Sequence, residues 1–227
     1  FYKGKLKKKY VKIFFQKNLK WEVINYDEIE PLEIKTYNID DLNRIYGNQS
    51  FFLGLFDKDQ KIFQNSSYMH SEPTWRSNIS INSQYSSASY QGEIPHSITQ
   101  KKLSLVSCNP MSQFSSNINS FFYLVNLFHE PIKEEFTVDI LNNQKEIISK
   151  LTCYTNTINF FDISKFFIDN DVLIFKSLNH GGIPIYFNFS SDYLSLSLEH
   201  THPPVEYVYG GDRFKIQKEK KKFWFVK

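Results

Sequence analysis

From about Pro73 onward, apolar and polar residues alternate with a period of two in short runs separated by polar turns, and this pattern commits most of the chain to β-structure. In Thr74-Trp75-Arg76-Ser77-Asn78-Ile79-Ser80-Ile81, Trp75, Ile79 and Ile81 share one side of an extended chain, and the polar residues take the other. Comparable runs are Gln84 to Tyr90, Leu103 to Ser107, Phe121 to Phe128, Glu135 to Leu141, Glu146 to Tyr154, Thr157 to Ile163, Val172 to Ser177, Ile183 to Phe189 and Tyr193 to Glu199. About ten short strands with polar connections predict a mainly β fold, an antiparallel β-sandwich or jelly-roll-like body over residues 73–227. Strands do not alternate with helical patterns, which disfavours a Rossmann-type parallel sheet. A helical turn is expected around Ser164 to Asn170.

Residues 1–72 read as a mixed segment, a candidate small subdomain. In Asn38-Ile39-Asp40-Asp41-Leu42-Asn43-Arg44-Ile45-Tyr46-Gly47, a capping Asn, early acids, an apolar face of Leu42, Ile45 and Tyr46, and a closing Gly predict a short helix. Phe51 to Phe56, Asp57-Lys58-Asp59 and Gln60 to Asn65 read as a strand, a turn and a returning strand.

The chain has 227 residues, 41% of them hydrophobic, enough for an ordinary core without staples. Its 22 Phe and 14 Tyr, like its many Asn and Lys, are what A/T-rich codons supply. Charge is segregated: residues 1–20 hold eight lysines and no acid, residues 213–227 hold seven Lys/Arg and one acid, and the stretch between them carries a net −11. The basic ends are candidates for peripheral contact with nucleic acid or an anionic membrane. Each end also interleaves aromatics, Tyr10, Phe14 and Phe15 at one and Phe223, Trp224 and Phe225 at the other. An edge strand guarded by lysines is the alternative reading of each. The absence of a secretory pattern or an apolar run of transmembrane length points to a cytoplasmic protein, and the Phe1 start leaves room for an upstream segment. Cys108 and Cys153 are too few for a disulfide framework, although one bridge is compatible with the count. The Asn-x-Ser sequons at Asn48, Asn65, Asn78 and Asn188 are about as many as chance provides at this Asn and Ser content.

Gly-rich phosphate loops, a nucleophile elbow, His-Glu-x-x-His and paired Cys motifs are all missing. The chemistry that stands out is Leu194-Ser195-Leu196-Ser197-Leu198-Glu199-His200-Thr201-His202, followed by Pro203, Pro204 and Glu206. On a strand, His200 and His202 share a face and can converge on one ion, with Glu206 folding back as a third ligand. If Leu194, Leu196 and Leu198 face the sandwich interior, the two imidazoles extend that face at its open end. Pairing Leu194 with Phe189 across a tight turn at Ser191-Asp192 puts His202 opposite Gly181 and leaves His180 facing away, unless a bulge at Gly181-Gly182 turns it inward. Asp212 and Arg213, after a double Gly, form either an ion pair or an anion clamp.

His200-x-His202-x-x-x-Glu206 resembles the first metal-binding motif of the cupins. That resemblance implies a jelly-roll enzyme with a divalent metal on His200, His202 and Glu206, its further ligand drawn from upstream, where His180 is the candidate. The leading functional expectation is different: a non-catalytic β-sandwich module binding a carbohydrate or another polar ligand. It rests on Ser- and Tyr-rich strands such as Gln84-Tyr85-Ser86-Ser87-Ala88-Ser89-Tyr90-Gln91, whose rings can stack on sugars.

Overall fold

The computed structural model describes residues 7–47, 50–56, 77–92, 105–108, 117–128, 130–167 and 172–200. The chain divides into two compact units, Phe1–Trp75 with Glu130–Ile132, and Arg76–His129 with Lys133–Lys227.

The first unit is built on a three-stranded antiparallel sheet of β1 (Lys9–Lys17), β2 (Lys20–Ile29) and β3 (Phe52–Phe56), in the order β2-β1-β3. Helix α1 (Ile39–Tyr46) is capped as its sequence predicts: Asn38 accepts from the Asp40 amide, and Gly47, at φ 72°, closes the C-terminus. Ile13 and Phe15 of β1 pack with Leu42 of α1, while Phe14 on the opposite parity stacks on Phe52 at 5.5 Å. The basic amino-terminal strand is therefore central, and its apolar run is core, which corrects the edge-strand reading. Lys12 is fully buried there with Nζ 2.7 Å from Asn25 Oδ1, and Lys8 bridges Glu28 and Glu30 at 2.7 and 2.9 Å. Part of the lysine cluster is thus spent on the unit's own polar groups.

The second unit is a β-sandwich. One four-stranded sheet has the order β6 (Leu105–Cys108), β11 (Ile174–Ser177), β8 (Glu135–Leu141), β9 (Ile147–Tyr154). The other has the order β10 (Ile158–Asp162), β7 (Ile118–Val125), β12 (Ile183–Ser190), β13 (Leu196–His200). A separate hairpin joins β4 (Ser77–Asn82) to β5 (Ser87–Gly92), and a 3-10 turn, Ser164–Phe167, falls within the predicted helical stretch. Among the described residues every strand pair is antiparallel.

Alternation decides what enters the core. Phe122, Leu124 and Tyr186 point inward from β7 and β12 to meet Phe136, Val138, Ile140, Leu151 and Phe175 of the facing sheet. The two layers lock through the Phe122 and Phe175 rings, 4.1 Å apart and 19° from parallel, and through a buried 2.8 Å bond between Ser107 Oγ and Tyr186 Oη. Burying a Phe of this kind contributes about 1.5–3 kcal/mol. Cys153 lies in the same core as a free thiol, which burial pushes up to about 12.

Asparagines close one end of the sandwich. Asn126 donates to Gly181 O at 2.8 Å and accepts from the Asn156 amide at 2.9 Å, while Asn156 accepts from the Phe128 amide at 2.7 Å. Asn188 also faces inward, 4% exposed and directly opposite Ser120, so in the folded protein its side chain is shielded from solvent. Among the described residues no helix is long and apolar enough to cross a membrane.

Gly182 is fixed by close approach to β7. A Cβ at this position would lie 2.6 Å from Leu124 Cδ1 and 2.8 Å from the Val125 carbonyl oxygen. Gly182→Ala should therefore destabilise the sandwich by about 1–3 kcal/mol, read as a lowered urea midpoint at unchanged m-value. An unchanged midpoint would mean that β12 can move away from β7 at no cost.

Candidate functional site

The expected histidine site meets two corrections at β12 and β13. Phe189 pairs with Leu196, Phe187 with Leu198 and Ile185 with His200, a two-residue shift from the predicted register. The shift arises because the connection is longer than a two-residue turn: the Ser190 amide bonds the Ser195 carbonyl at 3.1 Å, and the Tyr193 amide bonds the Ser190 carbonyl at 2.8 Å. The inward positions of β12 are Tyr186 and Asn188, which pair with Glu199 and Ser197. Leu196 and Leu198 therefore lie on the outer face of the sheet, not toward the interior. His202, Glu206, Asp212 and Arg213 lie outside the described residues.

His180 packs against two aromatic rings. Its ring sits edge-on to Phe128 at 5.3 Å and tilted against Phe136 at 4.9 Å, and its side chain is 12% exposed. Nε2 is 3.5 Å from Glu134 Oε2, too long for a good hydrogen bond. Among the described residues no group of three or more His, Cys, Asp or Glu is arranged to hold a metal ion.

The outer face of the β10-β7-β12-β13 sheet carries a feature that the sequence reading did not single out. Rings of Phe160 from β10, Phe121 from β7 and Phe189 from β12, with Tyr193 from the following turn, form one stack across the sheet. Centroid steps are 5.1, 5.6 and 5.3 Å, at interplanar angles of 16°, 7° and 5°. Phe187 and Tyr123 lean against it, at 6.3 Å from Phe121 and 4.8 Å from Phe160. In such a stack the inner rings cover each other's faces and turn their electropositive edges outward, so an open ring face is left only at the two ends. Those ends are exposed, Phe160 at 52% and Tyr193 at 54%.

The two ends differ in chemistry. Around Tyr193 the turn is polar: Ser190 Oγ donates to Asp192 Oδ1 at 2.5 Å, and Asn119 Nδ2 donates to Ser191 Oγ at 3.3 Å. The turn between β4 and β5 docks at this point, with Ser83 and Ser86 hydroxyls donating to the Tyr193 carbonyl at 3.0 and 3.1 Å. Tyr85, 64% exposed, rides on that turn, whereas Tyr90 of the same serine-rich segment is buried. Tyr193 itself has φ 59°, a left-handed conformation uncommon for a bulky residue, and it is in this conformation that its ring caps the stack. Serine hydroxyls, amides, a carboxylate and two open tyrosines thus gather at one end of an aromatic row.

Compared with known proteins, the chain matches no family model, no curated protein and no solved structure.

Burial lowers the His180 pKa below the ordinary 6.5, and the nearby Glu134 opposes that shift only in part. Folding thus favours the neutral ring, so this contribution to stability is complete above pH 6.5 and is lost as pH falls from there through the folded-state pKa. Urea midpoints measured across that window should fall with decreasing pH. In His180→Gln the fall should be shallower. Equal slopes in the two proteins would show that His180 is not held neutral.

Proposed function

We propose that the protein is a non-catalytic β-sandwich binding module that takes a carbohydrate at the Tyr193 end of the outer aromatic row. The observation that carries this reading is the half-exposed Tyr193 ring, stacked on Phe189 and set in a polar turn. A pyranose has an apolar C–H face and a rim of hydroxyls, so it favours an open aromatic face with hydrogen-bonding groups beside it. Tyr193 offers the face. Tyr85, on the turn bonded to the Tyr193 carbonyl, offers a second ring, and Ser191, Asp192 and Asn119 offer donors and acceptors. The row behind Tyr193 keeps its ring in place, so little side-chain freedom is lost on binding.

Calorimetry against glycans selected on an array tests the proposal. Tyr193→Ala should weaken binding roughly tenfold, the loss expected when one stacking ring is removed. Phe160→Ala, at the far end of the row, should leave the affinity intact. Because the Tyr193 ring is half exposed, its removal should move the melting temperature little. Failure to find any glycan tighter than about millimolar, or affinity indifferent to both Tyr193→Ala and Tyr85→Ala, would overturn the reading.

A further inference from the structure

The turn at the Tyr193 end contains one group whose charge bears on what can bind. Asp192 is exposed; Ser190 Oγ and the Leu194 amide reach the same carboxylate oxygen, Oδ1, at 2.5 and 3.1 Å, and its own backbone amide also bonds the carboxylate. The carboxylate is thereby fixed in orientation, with Oδ2 left to solvent. The Ser190 hydroxyl first, and the Leu194 amide second, hold its carboxyl below the usual carboxylate range. Among the described residues no lysine or arginine is ion-paired with it. A fixed anion therefore stands next in sequence to an open, electron-rich ring face.

Resting on the carbohydrate reading, we infer that Asp192 is a specificity-determining residue that selects a sugar bearing a protonated amine, so that the ligand class is an amino sugar with its nitrogen free. An ammonium group at this place gains twice. It forms an ion pair with Asp192 Oδ2, and it is attracted to the negative face of Tyr193. A neutral hydroxyl in the same position gains only an ordinary hydrogen bond. An N-acetyl group loses the charge: its amide N–H can still donate to the carboxylate, but as an ordinary hydrogen bond with neither the ion pair nor the cation–π attraction.

Two probes separate the inference from the reading beneath it: a glucosamine tetramer and its fully N-acetylated counterpart, titrated into the full chain at a pH where the amine is protonated. The free-amine tetramer should bind roughly five- to tenfold tighter, the gain expected of one exposed ion pair with a cation–π contact. Asp192→Asn should abolish that preference. Raising the salt concentration should reduce it. Equal affinity for the two tetramers, both sensitive to Tyr193→Ala, overturns the role of Asp192 and leaves the carbohydrate reading standing. A preference that survives in Asp192→Asn also overturns that role, because diffuse negative charge is then its source. Binding of neither tetramer overturns the amino-sugar assignment, and a blank glycan array alongside overturns the carbohydrate reading as well.

Discussion

The second unit depends on contact between two sheets through rings that alternation forces inward. Phe122 and Phe175 meet at 4.1 Å, Tyr186 leans on both, and its hydroxyl finds Ser107 across the gap. Aromatic side chains fill a wide interlayer space with few rotatable bonds, so a Phe-rich chain can build a dense core at modest entropic cost. The same alternation has a second product. When Phe122 and Tyr186 turn in, Phe121, Phe187 and Phe189 must turn out, and the outward rings assemble into the row that ends at Tyr193.

Much of the architecture could be read from periodicity. The strand Glu135–Leu141 occurs with the predicted bounds, and α1 lies between the Asn and Gly that flank it in sequence. Such elements depend on local rules, a cap or an alternation with one clearly apolar side. What stayed hidden was the choice of face. In Ile183–Ser190 the odd positions are Ile183, Ile185, Phe187 and Phe189 and the even ones are Pro184, Tyr186, Asn188 and Ser190, so counting apolar residues points to Phe187 as inward, whereas Tyr186 and Asn188 are the ones buried. The leucines of β13 were assigned inward for the same reason. Once β12 is seated by Gly182 against β7, the ladder carries them outward.

The candidate site was legible only in part. A serine- and tyrosine-rich stretch stood out, but it divides into an exposed Tyr85 in a turn and a buried Tyr90 in a strand. Tyr193 was read as the first residue of a strand, whereas it occupies a left-handed turn position more typical of Asn or Gly. A residue unsuited to its backbone conformation gives no sequence signal, because sequence rules are drawn from residues that suit theirs. Asparagine misleads in the opposite sense. Its abundance looks like codon bias, yet Asn126 and Asn156 tie three loops together at the closed end of the sandwich.

The bonds from Ser83 and Ser86 to the Tyr193 carbonyl span 110 and 107 residues of chain. During synthesis the Tyr85 turn therefore has to wait until nearly the whole sandwich has left the ribosome before its anchor exists. This corner is completed last, after the layers beneath it have closed, and a protein halted midway in folding would carry the rings without the bonds that tie the Tyr85 turn to Tyr193.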